Sequence, residues 1–466
     1  MPAALEALRV LTDPAQTGAV TLALPQDVQA MAHDWPEDFL APRVWPIWRP
    51  APDPAALDRA ADRLRAAERP LLVAGGGVLY SEATEALLAL AESAGIPVGE
   101  TQAGKGAMPD GHPLALGAIG ATGTSAANAI ARRADLVIGV GTRWTDFTTA
   151  SHTAFQHPGV RFVNVNVAAF DAARMSGLAL VGDARATLEA LSARLAGHRT
   201  APEYGEEAGR LVAAWQAEVA RLVGERDADP PAQAAIIGAV NAAAGPETTV
   251  VCAAGSMPGD LHKLWRPGGP AGYHVEYGYS CMGYEVAGGL GFKLGAPERD
   301  VVVLVGDGSW LMLSSEIVTA VAEGVKLTVV LVDNAGYASI GSLSRSVGAD
   351  GFGTRYQARA EGALGLDTEP PGPPLPVDLA ANAESLGAQV IRARTIADLE
   401  AALAQARAAT GTVVIHVPAD RYAGVPGYDS WWDVPVAEVS ERPTVQEARA
   451  AYDEARGAQR DHVTPP

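Results

Sequence analysis

At 466 residues, with 48% hydrophobic and 19% charged side chains, the chain is long enough to build two or three domains with sizeable cores. Its net charge of −19, without a block of basic residues, argues against nucleic acid and anionic membrane surfaces as partners, because both need a positive patch. Two cysteines, Cys252 and Cys281, are too few for a disulfide-stapled secreted scaffold, and no apolar run is long enough for a bilayer span, so a cytoplasmic protein is expected.

In chain order, residues 2–11 read as the end of a helix. Residues 18–24 (GAVTLAL) read as a short buried strand, 25–29 (PQDVQ) as a loop and 33–54 as a Pro- and Trp-rich connector. One helix and one strand do not bury a core, so this segment is expected to complete something else. From 54 to about 198 strands and helices alternate: a strand at 71–74, then Gly75-Gly76-Gly77 and an Ala/Leu-rich helix ending near Gly95. A new unit begins at 96–98, and further strands follow at 134–141 and 160–167. Such alternation implies a parallel sheet with helices on both faces. The three glycines lack the G-x-G-x-x-G spacing of a nucleotide-binding turn and are expected to be structural. Arg143, Asp146, Thr148 and Thr149 follow a strand end and either line a pocket or form a capped helix start.

Residues 203–225 read as a polar helix that 227–231 (DADPP) breaks, a linker between domains. A further alternating unit starts near 232, with strands at 249–253, 301–305, 327–332 and 413–417 and a Gly/Pro-rich loop at 361–376. The polar residues after 431–433 (WWD) are expected to drape over the surface. The fold class is therefore α/β, with two doubly wound parallel-sheet domains plus a remnant of a third. The boundaries are placed at 1–50, 51–200, 201–231 (helical linker), 232–440 and 441–466 (C-terminal tail).

The most informative stretch runs from 301 to 334. An apolar strand leads into Gly306-Asp307-Gly308-Ser309 and a helix; 24 residues after Gly308 a second apolar strand ends in Asp333-Asn334-Ala335-Gly336. Both clusters fall at the carboxyl ends of parallel strands, where open α/β sheets bind ligands. The residue types suit a magnesium-bound diphosphate. Asp307 and Asn334 offer the hard oxygen ligands that Mg²⁺ prefers, and Gly336 has a backbone carbonyl to add. Gly306 and Gly308 allow close backbone approach, and the helix after Ser309 turns free N–H groups towards an anion. A Gly-Asp-Gly turn alone is common; the paired arrangement is far more specific.

This pair resembles the thiamine-diphosphate (ThDP) motif of the acetolactate synthase and pyruvate decarboxylase superfamily. The resemblance implies that Met282, before Gly283, wedges under the thiazolium ring, where composition alone would make it ordinary core. It further implies that the Ser280 carbonyl accepts from the cofactor's amino group, and that Gly255, Ser256 and Met257 give backbone N–H groups to the diphosphate. Longer stretches narrow the match: TGAVTLALPQDVQA, GKGAMPDGHPLALGAIGATGTSAANA, VGTRWTDFTT, VEYGYSCMGYEVAGGLG, VGDGSWLM, SIGSLSRSVG, LPVDLAANAESLGA and SWWDVPVAEVSE. Together they resemble the trihydroxycyclohexanedione hydrolases of inositol catabolism, over nearly the whole chain.

That family resemblance implies ThDP- and Mg²⁺-dependent hydrolysis of the bond between two adjacent carbonyls of a polyhydroxylated cyclic dione, giving 5-deoxy-D-glucuronate. It also implies a homodimer or homotetramer, or a partner subunit carrying a further domain. Residues 1–50 then match only the end of the pyrimidine-binding domain, 51–200 the central domain and 232–440 the diphosphate-binding domain. The chain is accordingly expected to be truncated and incomplete for catalysis alone, because no glutamate here matches the cofactor-activating one. Glu285, at a helix start, is expected to serve the helix dipole rather than catalysis. Alternatives are a 2-oxoacid decarboxylase or carboligase, and a non-catalytic half-enzyme. Ala335 departs from the family where a histidine is expected. His274, Tyr277 and Tyr279 either face substrate or pack.

Overall fold

The computed structural model describes residues 1–276, 278–359, 365–367 and 372–463. Six strands build the first sheet: β1 (Pro70–Ala74), β2 (Val98–Glu100), β3 (Ala115–Ala118), β4 (Leu136–Val140), β5 (Arg161–Asn166) and β6 (Leu178–Val181). Six more build the second: β7 (Thr248–Cys252), β8 (Tyr273–Val275), β9 (Asp300–Gly306), β10 (Thr328–Asp333), β11 (Gln389–Arg392) and β12 (Val413–Pro418). Every pairing in both sheets is parallel. The continuous apolar runs account for this. PLLVA in β1 and LVIGV in β4 are buried at every position, as strands covered by helices on both faces must be. The α/β class with two doubly wound sheets is thus observed.

Strand order is β3-β2-β1-β4-β5-β6 in the first sheet and β11-β12-β10-β9-β7-β8 in the second. The first order reverses direction between β1 and β4; the second reverses between β7 and β9, and again at its far edge, where β12 inserts between β10 and β11. At such a switch point the loops leaving neighbouring strands diverge to opposite faces and open a crevice. In the first sheet the crevice is closed by backbone. Gly75 N–H donates to the Val140 carbonyl at 2.8 Å and Gly77 N–H to the Gly141 carbonyl at 3.1 Å. A Cβ on Gly75 would lie 2.3 Å from the Gly141 oxygen, so only glycine permits this approach, and the three-glycine turn is structural.

The helix Pro202–Val223 joins the two sheets along the chain and packs against β3 of the first. Tyr204, Ala208, Val212, Trp215, Val219 and Leu222 are its buried stripe. It lies against the helices Ser125–Arg133 and Gln233–Ala243, and one hydrophobic core runs through all three into both sheets.

Three expectations differ from the structure. Residues 18–24 form no strand and are exposed: no strand among the described residues lies alongside to pair with them, and an extended segment becomes a strand only with a partner. Residues 26–29 form a short helix where a loop was expected. The C-terminal residues carry a helix, Pro443–Arg456, whose Val445 and Tyr452 bury with Val436 in a small separate core. Much of the expected 361–376 loop lies outside the described residues. No helix among the described residues is long and apolar enough to cross a membrane.

Residues 460–462 are pinned to the first sheet's domain. Arg460 donates to the His157 carbonyl at 2.7 Å, and His462 packs edge-on against Phe162 with ring centroids 5.1 Å apart. His462 Nε2 is buried without a partner, and burial, then Arg460 and His152, push the imidazole down to about 4. Its pKa is depressed on folding, so the unfolded chain takes up the proton first as pH falls from 6.5. Stability is therefore lost between about pH 6.5 and 4. His462→Phe is expected to flatten this slope, read as a smaller difference in melting temperature between pH 7 and pH 5 than in the unsubstituted protein; equal slopes would refute it.

Candidate active site

The second switch-point crevice is open, and the predicted site residues converge there. β9 and β10 pair with Val332 opposite Gly306, which puts the two polar turns side by side. Asp307, 1% exposed, ties them together. Its Oδ1 accepts from Gly308 N–H at 2.7 Å; its Oδ2 accepts from Asn334 N–H at 3.0 Å and Gly336 N–H at 2.9 Å. Burial, together with the neighbouring Asp333, raises Asp307 to about 7, against the pull of the Gly336 and Gly308 N–H groups. Asp333 itself is held low, against burial, by His416 Nε2 at 2.8 Å and by Ala335 N–H at 3.0 Å.

Two features fit a cation here. Asn334 Oδ1 is buried and has no hydrogen-bond partner, an acceptor left open. Asp307 lies beside a second carboxylate with its charge only partly compensated, a state that a bound cation relieves. The Gly336 carbonyl already accepts from Ala338 N–H at 3.1 Å, so one of its two lone pairs is used. Ala335 stands exposed at φ +58°, a left-handed conformation costly for a residue with a Cβ.

The Met282 loop closes over the same turn. Ser280 (φ +54°) and Gly283 (φ +91°) give it a sharp course. Glu276 holds it from outside, accepting from Tyr279 N–H at 3.0 Å and Cys281 N–H at 2.6 Å. Ser280 Oγ donates to the Ala253 carbonyl at 3.2 Å. Met282 reaches Gly308: a Cβ there would meet the Met282 methyl at 3.2 Å and the Tyr337 ring at 2.7 Å, so this glycine is the floor on which both side chains rest. The third loop follows β7, where Gly255 (φ +84°) and Ser256 lie exposed before the buried Met257 opens the helix Met257–Leu264.

Glu285 unites these parts. Its Oε1 accepts from Ala254 N–H at 3.3 Å, its Oε2 from Gly283 N–H at 3.0 Å, and the Ser309 hydroxyl also bonds it. The residue is 1% exposed, and burial raises its pKa. One carboxylate thus fixes the loop after β7, the Met282 loop and the helix after β9. It stands in the helix's first turn, where an acid was expected for the dipole, while the cross-links are tertiary contacts that local spacing does not reveal.

Other candidates fall elsewhere. Thr145 caps the short helix Asp146–Thr149, and Asp146 Oδ2 accepts from Trp432 Nε1 at 2.7 Å, so the capped-helix reading holds for this turn. Arg143 is exposed. His274 is half-buried, bonded to the Tyr284 hydroxyl at 2.7 Å and tilted against Phe292, with ring centroids 5.6 Å apart. Tyr279 is 91% exposed, and Tyr277 lies outside the described residues. The sequence reading passed over Tyr337, Tyr356, His416 and Arg421. Arg421 Nη1 donates to the Asn334 carbonyl at 3.2 Å and the Ala335 carbonyl at 3.3 Å, and Nη2 bonds Thr354 Oγ1 at 3.0 Å. Nothing in the spacing around the two turns points to a residue so far along the chain.

Comparison with known proteins agrees with this geometry. Residues 57–191 match the central domain of the thiamine pyrophosphate enzymes, and residues 234–417 match their C-terminal TPP-binding domain. The chain is 42% identical, over 97% of its length and 73% of the relative's, to a 3D-(3,5/4)-trihydroxycyclohexane-1,2-dione hydrolase of Bacillus cereus (strain AH820). It is 43% identical, over 96% of its length and 72% of the relative's, to the enzyme of that name from Geobacillus thermodenitrificans. The chain belongs to this hydrolase family of thiamine pyrophosphate enzymes. Within the family frame, β9 and β10 carry the TPP-binding domain's two polar turns, and the closed crevice of the first sheet belongs to the central domain.

Glu285→Ala would strand the buried N–H groups of Ala254 and Gly283. A loss of about 2–3 kcal/mol is expected in urea unfolding. Glu285→Gln, which retains one accepting oxygen, is expected to lose less; equal losses would contradict the cross-linking role.

Proposed function

We propose that the chain is a ThDP- and Mg²⁺-dependent hydrolase that cleaves the bond between the two carbonyls of 3D-(3,5/4)-trihydroxycyclohexane-1,2-dione, yielding 5-deoxy-D-glucuronate in inositol breakdown. The observation that carries this reading is 42–43% identity, over 96–97% of the chain and 72–73% of the relatives, to proteins bearing that hydrolase's name. The open crevice at the ends of β7, β9 and β10 supports it.

In this reading Asp307, Asn334 and the Gly336 carbonyl hold the magnesium ion. The N–H groups of the 255–257 turn and of 306–309 serve the diphosphate, and Met282 and the Ser280 carbonyl serve the ring portion. Bound there, ThDP supplies a nucleophilic carbon and an electron sink, while the protein supplies position and electrostatics. Asp307 fixes the separation of the two turns through its three N–H bonds. Glu285 and Glu276 hold the Met282 loop at one height above Gly308. In the overall reaction water contributes hydroxide to one carbonyl, which leaves as carboxylate, and a proton to the other, which leaves as aldehyde.

The reading includes assembly with further subunits. Leu311, Met312, Leu313, Val318 and Val321 are exposed near the site, and such a patch suits a protein contact. A cytoplasmic setting belongs to the same reading and is in keeping with the exposed free thiol of Cys281.

Asp307→Ala is expected to weaken Mg²⁺–ThDP binding beyond the roughly 10–100-fold that loss of an outer-shell partner costs, measured by calorimetry. Retained affinity would overturn the site assignment. Supplied with ThDP, Mg²⁺, the cyclic dione and a subunit that carries the pyrimidine-binding domain, the chain is expected to release one equivalent of acid per ring opened. Release of CO₂ from pyruvate without ring opening would overturn the substrate assignment.

A further inference from the structure

Among the described residues five buried side-chain nitrogen or oxygen atoms have no hydrogen-bond partner: Arg69 Nε, Asn334 Oδ1, Tyr356 Oη, Arg421 Nε and His462 Nε2. Three of the five belong to one small region around the 334–336 turn. Leaving such a group buried and unpaired costs about 1–3 kcal/mol, so a cluster of them calls for an explanation. Their chemistry is complementary. Asn334 Oδ1 is an acceptor, which suits a cation; Tyr356 Oη and Arg421 Nε are able to donate, which suits an anion. An ion pair of metal and phosphate satisfies both kinds at once.

Tyr356 is the member placed to reach such an anion. Its N–H donates to the Ala335 carbonyl at 2.9 Å, and its neighbour Arg355 bridges Gly336, so its backbone runs alongside the turn after β10. Its ring meets Tyr337 edge-on, 5.9 Å between centroids at 81°, and Tyr337 in turn rests on Gly308. The Tyr337 hydroxyl is nearby but does not meet hydrogen-bond geometry. Asp307 and Asp333 are the charges that the Tyr356 hydroxyl senses, yet both oxygens of Asp307 already accept backbone N–H groups. The phenol is therefore a donor without an acceptor, at the edge of a turn built to hold a cation.

We infer that the Tyr356 hydroxyl donates a hydrogen bond to an oxygen of the bound cofactor's diphosphate, acting as a binding residue for the anion. This rests on the ThDP reading above for the source of the diphosphate. Arg421 is a positioning residue beside it, because its Nη groups are committed to the carbonyls of 334, 335 and 354.

The test is Tyr356→Phe in the full chain, with three readouts. Titration with ThDP in saturating Mg²⁺ is expected to show roughly 10-fold weaker binding, the loss of one hydrogen bond to a charged group. Titration with Mg²⁺ alone is expected to be unchanged. The cofactor-free variant is expected to melt at the same temperature as the unsubstituted protein or higher, because a buried unpaired hydroxyl has been removed. Equal ThDP affinity in the two proteins would overturn the assignment and leave the proposed function standing. An equal loss for Mg²⁺ alone would overturn it by moving the contact to the cation. A clearly lower melting temperature in the cofactor-free variant would overturn it by giving the hydroxyl a structural partner. Failure of the unsubstituted protein to bind ThDP at all would instead overturn the cofactor reading on which the assignment rests.

Discussion

A single buried carboxylate spaces the two turns of the second sheet. Asp307 accepts three backbone N–H groups, one from its own turn and two from the turn after β10. Charge-assisted bonds of this kind are stronger than neutral ones, and in a buried site they are little screened. They turn two loops that would otherwise move independently into one rigid edge. Glu285 repeats the device a strand away, binding the loop after β7 to the Met282 loop and the helix after β9. The crevice is thus framed by acids whose acceptor atoms are spent on backbone, while the unpaired polar atoms of Asn334, Tyr356 and Arg421 are left for something that binds.

The two sheets show how one topology is put to opposite uses. Each reverses its strand order near the middle of the sheet, and each places glycine-rich turns at that reversal. In the first, Gly75 and Gly77 press against Gly141 until backbone touches backbone, and the crevice is filled. In the second, Gly255 and Gly306 face open space, since a Cβ on either would meet nothing within 4 Å. The difference lies in what stands opposite the glycine rather than in the glycine itself.

That contrast marks how far the sequence was legible. Strands such as β1, β4, β9 and β10 were evident because burial on both faces leaves continuous apolar runs. The two turns after β9 and β10 were evident because Asp307, Asn334 and their glycines cluster at strand ends. The segment 18–24 misled for the same reason: it has a strand's composition, but pairing is a property of two segments and composition belongs to one. The roles of Glu285, Tyr356 and Arg421 were not legible, since each acts through contacts with residues distant in sequence. The Arg421 bonds to Asn334 and Ala335 span 87 and 86 residues.

That last separation has a consequence for how the protein is made. Domains fold roughly from the N-terminus during synthesis, and β9 and β10 pair as neighbours soon after they emerge. The turn between Asn334 and Gly336 is nevertheless not braced by Arg421 until residue 421 has left the ribosome, just behind β12. β12 ends at Pro418, three residues before Arg421, so the strand that completes the sheet and the residue that braces the turn emerge almost together. A nascent chain paused before that point lacks both the Arg421 brace and a settled β12.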